Sequence, residues 1–115
     1  MAKENPTATA EKSSKAPRLS LQCDHIAEDT ISIRSLDWDR SRFDIEFGLR
    51  NGTTYNSFII QGEKTAVIDT SHVKFQKLWF KELTQKISPS KIDYLIVSHT
   101  EPDHSGLINN ILDLN

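Results

Sequence analysis

In the run Ile92-Asp-Tyr-Leu-Ile-Val-Ser-His-Thr-Glu-Pro-Asp-His-Ser-Gly106, a short apolar segment passes directly into a loop of charged and imidazole side chains. Ile92–Val97 is almost continuously apolar, the pattern of a strand buried on both faces. The loop then places His99, Glu101, Asp103 and His104 within six residues. After it, Leu107, Ile108, Ile111 and Leu112 recur at helical spacing, so a helix is expected from near Ser105. A strand running through a polar loop into a helix predicts an α/β layered fold. It also puts the loop at the carboxyl end of a strand, where sites collect in such folds.

The residues upstream carry the same architecture. From Val73 to Lys86, Phe75, Trp79 and Leu83 recur every fourth position with Leu78 beside them, one apolar helical face. Ser71 is the expected N-cap, and Ser88-Pro89 the stop. Trp79 and Phe80, with Trp38, read more simply as core and surface aromatics than as a flavin platform. Lys74, Lys77 and Lys81 share one side and read as a solvated face. Before the helix, Thr65–Asp69 and Tyr55–Ile60 read as strands joined by the turn Gln61–Lys64, an antiparallel hairpin. Asn51-Gly52 marks a tight turn. Phe43–Leu49 and Thr30–Leu36 alternate apolar and polar residues as half-buried strands do, with the polar turn Asp37-Trp-Asp-Arg40 between them.

Residues 1–18 hold almost nothing apolar and are expected to be a disordered extension, with a single domain over 19–115. At 115 residues, 37% hydrophobic and 26% charged, the chain suffices for one small core. A formal net charge of −2 gives no basic surface for nucleic acid. No apolar run approaches the roughly 20 residues of a membrane span. No secretory signal opens the chain, so the expected setting is cytoplasmic. Cys23 is the only cysteine, so an internal disulfide and a thiolate zinc site are both excluded. The chain stops at Asn115 inside the last helical pattern, and is expected to be a fragment of a longer protein.

All four loop residues can ligate metals. In an extended loop, alternate residues share a side, so His99, Glu101 and Asp103 are expected to converge, with His104 where the chain turns into the helix. Such a set can feed two ions about 3.5–4 Å apart. Four ligands cannot complete two coordination spheres, so others must come from elsewhere. His25 and His72 lack neighbouring ligands and are poor candidates. Two imidazoles and two carboxylates without a thiolate suit iron and manganese at least as well as zinc. The same residues also read as a solvated loop, with Asp103 as an N-cap of the following helix. Asp69, at a strand end, reads either as a turn former or as a group orienting a metal-bound histidine.

A strand followed by His99-x-Glu101-x-Asp103-His104-x-Gly106 resembles the metallo-β-lactamase superfamily, an αββα sandwich, of which this chain would hold the N-terminal half. Hydrolytic zinc members generally carry histidine where Glu101 stands, and the pattern here is similar to the flavodiiron family instead. Asp37–Arg40, Gly52–Ser57 and Ala66–Thr70 resemble that family too, in the expected order. The polar N-terminal extension and Arg34–Arg40 look most like its oxygenic phototroph branch.

The resemblance implies that His99 and Glu101 bind one iron and Asp103 and His104 the other, with the remaining ligands beyond Asn115. It implies FMN in a domain outside this chain, supplied across a homo- or hetero-dimer. The implied reaction is reduction of O2 to water, or of NO to N2O, with electrons from NAD(P)H or another donor. Two alternatives stand beside it. One is a zinc-dependent hydrolase of the superfamily, such as a thioesterase or ribonuclease. The other is an inactive truncated fragment with weak metal affinity and an exposed, aggregation-prone sheet face.

Overall fold

A computed structural model of the chain describes residues 18–43, 47–48 and 52–115. The expected disordered extension, apart from Arg18, lies outside the described residues. So do Asn51 and positions 44–46 and 49 of the expected strand Phe43–Leu49.

The described strands are β1 (Leu19–Ala27), β2 (Thr30–Asp37), β3 (Arg42–Phe43), β4 (Phe47–Gly48), β5 (Thr53–Gln61), β6 (Thr65–Ile68) and β7 (Tyr94–Ile96). The helices are α1 (Gln76–Lys86), α2 (Pro102–Ser105) and α3 (Ile108–Leu114). Five strands form one sheet in the order β1-β2-β5-β6-β7, and β3 pairs with β4 alone. Neighbours in the large sheet are antiparallel except β6 and β7, which run parallel. A parallel pair needs a crossover rather than a tight turn, and α1 supplies it.

The two-residue period of the strands decides what is buried. Ile31, Ile33, Ser35 and Asp37 of β2 and Tyr55, Ser57 and Ile59 of β5 alternate inward, while their neighbours are at most partly covered. They meet Phe75, Trp79 and Leu83, each fully buried, and then Leu107 and Ile111. Burying a large apolar side chain is worth about 1.5–3 kcal/mol, so this four-residue helical repeat holds α1 on the sheet. Trp79 is core, and its Nε1 donates to Ser57 Oγ at 2.9 Å, which removes the cost of burying the indole N–H. Helices therefore cover one face of a mixed sheet, the α/β half-sandwich expected.

Several local expectations give way. β1 was expected only as the start of structure. Leu19, Leu21 and Cys23 do alternate toward the core, but the strand continues, still paired with β2, into exposed Asp24–Ala27. Leu78 lies off the buried face. The helical segment opens as a 3-10 turn, Val73–Phe75, capped not by Ser71 but by His72, whose Nδ1 accepts the Lys74 N–H at 3.2 Å. Ser71 is buried instead, and its Oγ donates to Ser35 Oγ at 2.8 Å. Lys74 leaves the solvated lysine face because its Nζ reaches Asp37 Oδ2 at 2.7 Å. β7 is not buried on both faces. It is the last strand in the sheet order, Leu95 packs on the core, and Tyr94 and Ile96 on the other side are about half exposed.

Two features lock the end of β2. Asp37, 1% exposed, accepts the Tyr55 hydroxyl at 2.7 Å as well as Lys74. Burial and that carboxylate push the Tyr55 phenol up to about 12. Gly52, at φ 79°, lies so close to β2 that a Cβ would sit 2.0 Å from the Asp37 carbonyl oxygen. No other residue fits that turn without displacing the backbone.

Candidate metal centre

The site is built where β6 and β7 end side by side. Asp69 follows β6 directly. Its N–H donates to the Ile96 carbonyl at 2.8 Å, which carries the parallel pairing one step past the strand. Its φ of 62° is left-handed, a conformation Asp tolerates better than most residues. The carboxylate is then fully engaged. Ser98 donates from its N–H at 2.8 Å to Oδ1 and from Oγ at 2.5 Å to Oδ2, and His104 Nδ1 lies 3.0 Å from Oδ2. Burial alone would make Asp69 a weaker acid. The two Ser98 bonds and His104 outweigh it, and the carboxyl sits below its ordinary value.

An ionised Asp69 favours the His104 tautomer with the proton on Nδ1, which would leave the Nε2 lone pair to ligate. Nε2 stands 3.8 Å from Asp103 Oδ2. That is too long for a hydrogen bond, and wide enough for an ion with bonds of roughly 2.0–2.2 Å to sit between the two atoms. His99 Nε2 and Glu101 Oε1 are in direct contact at 2.6 Å. The His99 and His104 rings meet edge to face at 5.2 Å between centroids, so the two pairs are neighbours.

The grouping into pairs departs from the alternation expected of an extended loop. Pro102 begins a helical turn, with Glu101 at its N-cap position, so the helix expected from near Ser105 is split into α2, which starts at Pro102, and α3, which starts only at Ile108. Asp103 thus belongs to the first turn of a helix, where a carboxylate is favoured, and is not the N-cap. Alternation ends at Glu101. Among the described residues no three His, Cys, Asp or Glu side chains converge as a ready metal cage. Two imidazoles and two carboxylates without a thiolate, standing as two pairs, are a donor set compatible with iron.

The other singled-out residues fall elsewhere. His25 is exposed on β1, and His72 caps the 3-10 turn and stacks on Tyr55 at 6.0 Å. Burial, then Lys74 and Arg40, holds His72 below the ordinary histidine value. Arg40 donates to the Tyr55 hydroxyl at 2.9 Å. Burial and its bond to Glu82 push the Cys23 thiol up to about 11, so it is not a thiolate near neutral pH. Sequence reasoning left the side chain of Ser98 unassigned. Its one signal was its place between a strand and the first histidine.

A family model described as ODP family beta lactamase matches residues 53–115. Diflavin flavoprotein A 1 of Synechocystis sp. (strain PCC 6803) is 63% identical over 98 residues, covering 85% of this chain and 17% of the relative. The chain thus spans under a fifth of that protein's length. A solved metal-soaked Flv1 flavodiiron core from Synechocystis sp. PCC6803 superposes with a TM-score of 0.76 at 35% identity, over 85% of this chain and 24% of that one. Rubredoxin oxygen:oxidoreductase from Desulfovibrio gigas superposes with a TM-score of 0.74 at 29% identity, over 81% and 23%.

Proposed function

Because the chain belongs to the ODP β-lactamase family and is similar to a flavodiiron core, we propose that residues 19–115 form the first part of a di-iron domain. The full-length protein then reduces O2 to water, with NO as the alternative substrate. Electrons come from NAD(P)H or another donor and reach the iron through FMN, held by a domain outside this chain and presented across a homo- or hetero-dimer. The proposed setting is the cytoplasm.

The observation that carries the reading is the pair of donor sets at the carboxyl end of β7, one of them oriented by Asp69. His99 with Glu101 would hold one iron, and Asp103 with His104 the other. Bound there, two irons supply the accessible redox couple that zinc lacks. The chain's own residues do the rest. Asp69 holds the proton on His104 Nδ1 and leaves Nε2 free to ligate. Ser98 holds Asp69 through two bonds and ties the end of β7 to it. Glu101, in place of the imidazole of hydrolytic relatives, lowers the charge of the site and favours the higher iron oxidation state.

The test is Glu101→Gln in the full-length protein, which keeps the side chain's shape and removes its charge. Iron content and O2 consumption should both fall. Wild-type turnover in that variant would overturn the reading.

A further inference from the structure

Asp69 holds the His104 ring, but something must also hold the chain that carries it. α2 is a single turn of four residues, too short to keep its own position. The restraint comes from Thr70, which is fully buried. Its N–H and its Oγ1 both donate to the His104 carbonyl oxygen, each at 2.7 Å. The same Oγ1 accepts the Leu107 N–H at 3.1 Å. One residue thus grips the turn at two backbone positions, three residues apart. Gly106 lets the turn come that close. A Cβ there would lie 2.6 Å from the carbonyl oxygens of Ser71 and Pro102 and 3.0 Å from the Val73 nitrogen.

We infer that Thr70 is a positioning residue for His104: its amide and hydroxyl fix the backbone under the imidazole so that the ring reaches Asp69 with Nε2 turned to Asp103. Two neighbours in sequence divide the task, Asp69 setting the ring and Thr70 the chain. The inference deepens the proposed iron site and rests on that reading only where metal binding is measured.

The experiment uses the full chain with 15N-labelled histidine and compares Thr70→Val, which keeps the shape and loses the hydroxyl, with Thr70→Ser, which keeps the hydroxyl. Long-range proton–nitrogen spectra read the His104 tautomer without any metal. Wild type and T70S should show the proton on Nδ1 alone, and T70V a mixture of both tautomers. In a parallel titration with Fe(II), T70V should bind roughly 10–100-fold more weakly, with T70S near wild type. Asp93→Ala, which removes the acceptor of the Thr65 N–H at the opposite end of β6 from the clamp, serves as the stability control and should leave both readouts unchanged. If T70V does not fold, T70A removes the same hydroxyl with less bulk and decides the matter. A single Nδ1–H tautomer in T70V overturns the inference, and so does a D93A variant that changes as much as T70V. If His104→Ala leaves Fe(II) binding untouched, the iron reading fails, and the tautomer spectra still decide whether Thr70 positions the ring.

Discussion

The two donor pairs are adjacent in sequence and are held in opposite ways. His104 and Asp103 are 30% and 11% exposed, on a turn fastened to the end of β6. His99 and Glu101 are 54% and 46% exposed, and each has the other as its side-chain partner. One pair is shaped by the fold before any ligand arrives. The other is an exposed contact, which an ion would have to prise apart. The fold of this segment therefore pre-organises half of the proposed site, and the two halves should answer differently to mutation and pH.

The largest effect should come from Asp69→Ala. It strands the Ser98 and His104 donors and removes the acceptor that fixes His104. Leaving such groups unsatisfied costs about 1–3 kcal/mol each, so a loss of about 3 kcal/mol is expected in denaturant unfolding. A loss under about 1 kcal/mol would break the contrast. Gly106→Ala comes next, at about 2 kcal/mol, because its Cβ meets backbone oxygens at 2.6 Å that cannot simply rotate away. Ser98→Ala leaves the backbone bond to Asp69 and removes only the hydroxyl, and should cost about 1 kcal/mol.

Acid should act on the anchored half. The folded Asp69 carboxyl is more acidic than its unfolded value of about 3.9. Its contribution is therefore fully present above that pH and is lost as pH falls through the folded value. The stability gap between wild type and Asp69→Asn should be constant near neutrality and close below about pH 4. A gap that widens on acidification would show that Asp69 is neutral in the fold. The smallest effect belongs to the exposed half: Glu101→Gln should leave stability within about 0.5 kcal/mol while it removes a metal donor.

The same contrast separates what the sequence discloses from what it conceals. The hairpin of β5 and β6, the four-residue repeat of α1 and the break at Pro89 are local signals, and each is present as read. The four candidate residues stand out in the sequence because their types and crowding show in one short run. Their pairing does not. It depends on Pro102 starting a helix early and on Asp69, which a strand-end position only suggested. β7 misled for a related reason: Tyr94, Leu95 and Ile96 form an apolar run whichever face is covered. Ser71 looked like a cap because the helix start was read without the 3-10 turn ahead of it. In each case the deciding contact comes from a segment distant in the chain.

That distance has a consequence for the order of folding. His104 meets Thr70 across 34 positions and Asp69 across 35, and Leu107 meets Thr70 across 37. Closing such loops is repaid only once the ends have docked. A chain emerging from the ribosome can complete the β5–β6 hairpin and α1 while His104 is still unmade. The anchored donors take shape among the last events of this segment, after Leu107 has returned to the sheet. Under the proposed reading, iron offered earlier would meet loose side chains and no oriented pair.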